Sequence, residues 1–252
     1  MLQHQPSRTA EYMAMFRASE HAKGAGRRVF TDPLAVALLP GSLRLSAKLL
    51  AVRPVGDMLT RYIDRQWPGA RTSGIARTRL IDDWIEESIG QAEQVVLLGA
   101  GFDTRAWRLA ALDSVKVFEV DHPATAKVKR ARLQAAGVDL NRVIFVAVDF
   151  EIDDFEQRLR DAGFDSARRT IVVWEGVSQY LTGDAVCGVM PGRAGLRHAA
   201  GSSSPMFMRA RSTAASRSMA QTRSSPRSTA RANPGGSACC QTNCRTSCAS
   251  AG

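Results

Sequence analysis

Cysteine is absent from the first 186 residues, which excludes a disulfide-stabilised scaffold for that part of the chain. Acidic residues are absent after Asp184, so nine of the ten net positive charges lie in 187–252 and residues 1–186 are close to neutral. The sequence also lacks the run of about 18 uncharged apolar residues that a membrane-spanning helix needs. Its first seven residues lack the apolar segment of a signal peptide. We therefore expect a soluble, cytoplasmic protein with no membrane partner.

Residues 187–252 are poor in the side chains that build a core. They consist mainly of Ser, Ala, Arg and Gly, and Val189, Leu196 and Phe207 are the only members of the set Ile, Leu, Val, Phe, Trp and Tyr. So little apolar area cannot offset about 1–2 kcal/mol of backbone entropy per residue, and we expect this tail to be largely disordered. Its four clustered cysteines lack the spacing and the nearby histidine typical of zinc sites, so no metal is expected.

Two hypotheses explain the tail. It could be a basic arm that follows nucleic-acid phosphates, because arginines recur among Ser and Thr. We favour translation in the wrong reading frame, because the acidic residues and the apolar periodicity end together near Ala185. Translation of all three frames across codons 183–191 tests this: one alternative frame should restore alternating apolar segments, and the absence of such a frame contradicts the hypothesis.

The first 92 residues have helical patterns and predict an N-terminal helical cap. Apolar residues recur at three- and four-residue steps, and prolines, glycines and capping residues mark the ends of the segments. The predicted helices cover residues 7–23, 34–39, 43–52, 55–67 and 72–90.

The period then changes: a short apolar run at 95–98 predicts a buried strand, and further strands are predicted at 115–120, 143–148 and 171–174, separated by predicted helices at 104–112, 122–135 and 152–162. Strands that alternate with helices predict a parallel α/β sheet with helices on both faces, here over residues 93–186. Ligands of such sheets lie at the carboxyl ends of the strands. Those ends hold Gly99-Ala100-Gly101, Asp121, Asp149 and Glu175.

These strand ends suit an adenosine-bearing cofactor. The two glycines permit a sharp turn and the close approach of a ligand. Asp121 follows Gly101 by twenty residues, the distance typical of a carboxylate that binds ribose hydroxyls, while Asp149 and Phe150 could hold adenine. Thr104 stands where a dinucleotide site has its third glycine, which weakens the alternative of a nicotinamide-dependent oxidoreductase.

The segment 95–109, with Gly-Phe-Asp-Thr-Arg at its centre, resembles motif I of the S-adenosylmethionine-dependent methyltransferases related to leucine carboxyl methyltransferase and polyketide O-methyltransferases. Segments 118–123, 148–150, 174–177 and 180–181 are similar to further motifs, as are 30–35 and 76–79 upstream. The resemblance covers about residues 7–186. It implies a Rossmann-like class I methyltransferase sheet, S-adenosylmethionine as the cofactor and a small-molecule or polyketide-like methyl acceptor.

The resemblance also implies roles for individual residues. The cofactor would lie over Gly99, Ala100 and Gly101, with its ribose on Asp121, its adenine at Asp149 and Phe150, and its carboxylate on Arg77. A carboxylate acceptor needs no base because it is ionised at neutral pH. A hydroxyl acceptor would need one, and the candidates are Glu175 and Tyr180. We expect His122 to start a helix, and Asp103 and Arg105 to shape the loop.

Members of this family build seven strands, whereas the sequence predicts four. An incomplete sheet would leave the fourth strand unpaired on one side, so we expect poor stability and weak or absent cofactor binding. The sequence identifies neither the methyl acceptor nor the oligomeric state.

Overall fold

The computed structural model describes residues 7–50, 52, 54–176 and 206–210, which all lie in one compact unit, Met1–Ser212. Its cap contains four helices, α1 (Arg8–His21), α2 (Gly41–Leu50), α3 (Val55–Gln66) and α4 (Ala70–Ser88). The hydroxyl of Ser7 accepts a hydrogen bond from the Ala10 N–H and so caps α1, as expected. Within the described residues, no helix is long and apolar enough to cross a membrane.

The helix predicted at 34–39 is instead a series of turns. Asp32 does accept a hydrogen bond from the Ala35 N–H at its start. Of the backbone bonds that follow, those from Ala37 to Leu34 and from Leu39 to Val36 span three residues, and a longer one of 3.4 Å, from Leu38 to Leu34, spans four. Six residues before a proline are too few to offset the cost of starting a stable α-helix.

The sheet contains β1 (Gln94–Leu98), β2 (Lys116–Asp121), β3 (Val143–Ala147), β4 (Thr170–Trp174) and β5 (Met206–Ala210) in the order β3-β2-β1-β4-β5. The first four strands are parallel, which confirms the predicted Rossmann-like α/β architecture. They alternate with α5 (Arg105–Arg108), α6 (Pro123–Ala135) and α7 (Phe155–Asp161). The helix predicted at 104–112 ends at Arg108, and a separate 3-10 turn follows over Ala110–Leu112.

The prediction that β4 would have an unpaired edge is wrong. Strand β5 pairs with it antiparallel, from Thr170 opposite Ala210 to Trp174 opposite Met206. These five residues belong to the tail that we expected to be disordered; the rest of the tail, including its cysteines, lies outside the described residues. The composition of the tail did not predict this strand, because pairing uses backbone groups that almost every residue carries.

Both faces of the sheet are covered, as the apolar runs of a buried parallel strand require. On one face, Val95 and Leu97 pack with Ile81 and Ile85 of α4. On the other, the strand residues pack with Phe155 and Leu159 of α7. A third cluster lies in the cap and includes Phe102, which comes from the loop after β1.

Candidate cofactor site

The carboxyl ends of the four parallel strands meet at one edge of the sheet. Leu98, the last residue of β1, is in register with Val120 of β2 and with Trp174 of β4. The turn after β1 continues this pairing, because the Ala100 N–H donates to the Val120 carbonyl oxygen at 3.1 Å. Three parts of the site are therefore neighbours, as the strand pattern predicted: the turn Gly99-Ala100-Gly101, which we call the glycine turn, Asp121 and Glu175.

Asp121 fixes the glycine turn. Gly99 and Gly101 have φ angles of +61° and +50°, which favour glycine. The Gly101 N–H donates to one oxygen of the Asp121 carboxylate, and the His122 N–H donates to the other at 2.6 Å. Burial raises the pKa of Asp121, although these two backbone donors oppose the rise. A carboxylate oxygen accepts two hydrogen bonds, so both oxygens can still bind a ribose hydroxyl.

The space beside Gly101 belongs to the cap rather than to a ligand. A Cβ atom at this position would lie 3.2 Å from the Ala10 Cβ of α1. A sharp turn and the close approach of a ligand are the reasons that the sequence predicts for both glycines. For Gly101 the close packing of α1 is a further reason.

His122 lies between Asp121 and Asp149. Its Nδ1 accepts a hydrogen bond from the Ala124 N–H at 3.2 Å and caps α6, which confirms its predicted role at a helix start. In a neutral ring this leaves the proton on Nε2. That atom lies 3.6 Å from an oxygen of Asp149, a distance longer than a hydrogen bond. The Phe150 ring packs against Phe155, with 5.9 Å between ring centroids.

Arg77 and Glu175 form an ion pair at the end of β4. The Arg77 Nε donates to Oε1 of Glu175 at 2.7 Å, and the two side chains are 26% and 17% exposed. The second oxygen of Glu175 accepts from Arg105 Nη1 at 3.0 Å. Burial favours a raised pKa for Glu175, but Arg105 and Arg77 outweigh it and hold its pKa below the ordinary value. Glu175 is therefore a weak proton acceptor at neutral pH.

Arg105 is the centre of a buried charge network. Besides Glu175, its guanidinium contacts Asp82 of α4 at 2.8 Å and Asp103 at 2.5 Å. Despite burial, the pKa of Asp103 lies below its usual range because Arg105 is adjacent, and the pKa of Arg105 is raised by the surrounding carboxylates. Asp103 also accepts from the Arg105 N–H at 2.7 Å, so the prediction that this pair shapes the loop is confirmed.

The network extends to Arg108, which forms two hydrogen bonds with Asp82, at 2.6 and 2.8 Å. Three arginines therefore face three carboxylates, and the cluster is neutral. Local sequence patterns indicate no role for Asp82 or Arg108, because charged residues on a helix usually form a solvated face. Both side chains are nevertheless only 4% exposed, and the Phe30 ring lies against the Arg108 guanidinium.

The structure places most of the predicted site residues at the same edge of the sheet: Arg77, Gly99, Ala100, Gly101, Asp121, Asp149, Phe150 and Glu175. Tyr180 lies outside the described residues. Within the part of the chain that the structure describes, no group of three or more His, Cys, Asp or Glu side chains could hold a metal ion.

Comparisons with known proteins agree with the sequence motifs. A Frankia alni protein named "Putative S-adenosyl-L-methionine-dependent methyltransferase" is 35% identical over 197 residues, which cover 77% of this chain and 65% of that protein. A Streptomyces coelicolor protein with the same description is 41% identical over 114 residues, covering 44% of this chain and 40% of its own. The match to the Frankia protein thus spans slightly less than two thirds of that relative.

One solved structure, the apo form of the S-adenosylmethionine-dependent methyltransferase SibL, has a TM-score of 0.34 and 16% identity and covers 71% of this chain and 65% of its own. The family model described as leucine carboxyl methyltransferase matches residues 10–191, close to the predicted extent of the resemblance. The predicted family and its cofactor, S-adenosylmethionine, are thereby confirmed, and the chain belongs to the leucine carboxyl methyltransferase family.

Proposed function

We propose that this chain is an S-adenosylmethionine-dependent O-methyltransferase that acts on a small-molecule acceptor through a carboxylate or hydroxyl oxygen. The observation that carries the proposal is the assembly of Asp121, the glycine turn and the Arg77–Glu175 ion pair at one sheet edge. These groups match two chemically distinct parts of the methyl donor, which are the ribose diol and the zwitterionic amino-acid end.

The donor fits the charges of the site. Asp121 has free lone pairs for the ribose hydroxyls. Among the described residues, Arg77 Nη1 has no acceptor, so the guanidinium can bind the carboxylate of the donor while its Nε stays on Glu175. Glu175 is one-sixth exposed and offers its remaining lone pairs to the ammonium group. Asp149, nearly one-third exposed, can accept from the exocyclic amine of adenine.

A carboxylate acceptor fits the described residues better than a hydroxyl acceptor. The bound donor supplies an electrophilic methyl group. The acceptor oxygen would attack this methyl group in line with the carbon–sulfur bond, and the bonding pair would leave with sulfur. An ionised carboxylate acceptor has no proton to lose. Glu175, with its lowered pKa and two guanidinium partners, is poorly suited to act as the base that a hydroxyl would need. We therefore assign Glu175 the task of orienting Arg77, while a role for Tyr180 stays a prediction.

The expectation of weak or absent cofactor binding also changes. It rested on an unpaired β4, and β5 occupies that edge. The groups proposed to bind the donor come from described residues between Arg77 and Glu175, and hydrogen bonds hold Arg77 to Glu175 and the Gly101 and His122 N–H groups to Asp121. We therefore propose that the chain binds the methyl donor.

Substitution of Arg77 by methionine tests the proposal. Loss of the guanidinium removes the charge-assisted bonds to the donor carboxylate, each worth about 1.5–3 kcal/mol. Affinity for S-adenosylmethionine, measured by titration calorimetry, should fall at least about tenfold. Transfer of a radiolabelled methyl group to carboxylic acids in a metabolite extract should fall in parallel.

The matched control is Arg79→Met on the same helix. Arg79 is half exposed and pairs with Asp83 one turn away, so this variant should bind and transfer like the wild type. Equal losses in both variants would show that Arg77 has no specific role, and absence of labelled product from the wild type would contradict the proposed activity.

A further inference from the structure

Asp32 belongs to the cap but binds the loop that follows the glycine turn. Its carboxylate is fully buried. Oδ2 accepts from the Thr104 hydroxyl at 2.7 Å and from Arg17 Nε at 2.9 Å. Oδ1 accepts from the Ala35 N–H at 3.1 Å. Segment 30–35 is thus the connection between the cap and the first motif of the cofactor site.

Arg17 strengthens this connection at a second point. Its Nη2 donates to the carbonyl oxygen of Phe102 at 2.5 Å. The Phe102 side chain is 2% exposed and packs in the core of the cap. The loop between Gly101 and Thr104 is therefore held through its backbone, through an inserted aromatic ring and through a buried hydroxyl.

Two further contacts have the same effect. Ala10 of α1 packs against Gly101, where a Cβ would approach to 3.2 Å. Phe30, two residues before Asp32, lies under the Arg108 guanidinium with 5.5 Å between the guanidinium carbon and the ring centroid. Segment 30–35 and α1 thus contact both helix α5 and the loop over residues 99–104, which we call the glycine loop.

We propose that Asp32, with Arg17, is a positioning residue for the methyl donor, acting through the glycine loop. The inference rests on the proposed function, because the ligand of this loop is the donor. Gly99 and Gly101 give the free loop wide conformational freedom. Asp32 holds Thr104, and Arg17 holds Phe102, so that the Gly101 N–H stays on Asp121 and the carboxylate of Asp121 stays aimed at the ribose.

This arrangement has a quantitative consequence for binding. The apparent affinity of a ligand falls in proportion to the fraction of protein in the competent conformation. If loss of the Asp32 contact leaves about one tenth of the molecules with an ordered loop, the dissociation constant rises about tenfold. The cap therefore contributes to donor affinity without touching the donor.

The test compares two buried threonines in the full-length chain. Thr104→Val removes the hydroxyl that donates to Asp32 and keeps the shape of the side chain. Thr170→Val is the matched control, because Thr170 is also buried (1% exposed) but lies at the opposite end of β4 from Glu175. Its hydroxyl accepts a hydrogen bond from Gln94 Nε2 and donates one to the Arg168 carbonyl oxygen. Thr104→Ser restores the hydroxyl. Calorimetry with S-adenosylmethionine, thermal unfolding and amide hydrogen exchange without ligand are measured for each.

We expect Thr104→Val to weaken donor binding about tenfold and to speed exchange of the Gly101 and Arg105 amides, with recovery in Thr104→Ser. Thr170→Val should lower the melting temperature but change the dissociation constant less than about twofold. Asp32→Asn should exceed the effect of Thr104→Val if it folds. Unchanged binding in Thr104→Val, or an equal loss in Thr170→Val, overturns the inference.

Failure of the proposed function gives a different result. In that case the wild type shows no binding, and the exchange data alone decide the role of Asp32. Faster loop exchange in Thr104→Val but not in Thr170→Val would support loop positioning by the cap, and equal exchange in the two variants would overturn it.

Discussion

Replacement of Arg105 by methionine should lower the free energy of unfolding at neutral pH by about 3–5 kcal/mol. Arg105 is 3% exposed and contacts three carboxylates, on Asp82, Asp103 and Glu175. Its loss leaves these buried groups with too few cations, and removal of one partner from a buried ion pair costs far more than the intact pair contributes. Urea unfolding followed by circular dichroism measures the change.

The control is Arg160→Met, because Arg160 forms an ion pair of the surface type with Glu156 in α7. Its free energy of unfolding should change by less than about 1 kcal/mol. A similarly small loss in Arg105→Met would mean that the network around Arg105 contributes little to the fold.

The effect of Arg105→Met should depend on pH. Asp103 and Glu175 have folded-state pKa values below their ordinary 3.8 and 4.5, so they stabilise the wild type above those values. This contribution is lost as the pH falls and the carboxyls take up protons. Because Arg105 is the shared cause of both shifts, the stability difference between wild type and variant should narrow as the pH falls below about 4.5. A constant difference would contradict the assigned cause.

Substitution of Asp121 by asparagine should weaken binding of S-adenosylmethionine about 100-fold. The carboxylate accepts one backbone N–H on each oxygen, and an amide can accept on only one. The variant therefore loses the anchor of the glycine turn or the bond to His122, together with the charge that would strengthen the two proposed hydrogen bonds to the ribose. Charge-assisted bonds are worth about 1.5–3 kcal/mol each, and 1.4 kcal/mol is a tenfold change in affinity.

Asp113→Asn provides the comparison for this second prediction. Asp113 is 59% exposed and pairs with Arg142 at the surface, so the variant should bind the donor with wild-type affinity. Calorimetry under identical conditions compares the three proteins. Equal affinity of Asp121→Asn and wild type would remove Asp121 from the site.

The sequence predicted the parts of the fold that depend on local patterns. Strands β1 and β4 are buried at every position, and the apolar runs 95–98 and 171–174 predicted them. The edge that carries Gly99, Asp121 and Glu175 followed from parallel topology alone. Strand β5 was not predicted, because it pairs through its backbone and its side chains carry no apolar periodicity.

Contacts that connect distant segments could not be predicted from the sequence. The bonds of Asp32 to Arg17 and Thr104 join positions far apart in the chain. Asp82 of α4 likewise pairs with Arg105, 23 positions later in the chain. Such partners are determined by tertiary packing, which single-residue preferences do not encode.

The most direct test of the proposed site is a crystal structure of the full chain with S-adenosylhomocysteine, the product of the methyl donor. We expect the ribose hydroxyls within hydrogen-bond distance of the Asp121 carboxylate, the adenine beside Asp149, and the product carboxylate on Arg77. A product bound away from the turn formed by Gly99 and Gly101, with Asp121 in contact only with the backbone, would contradict the assigned site.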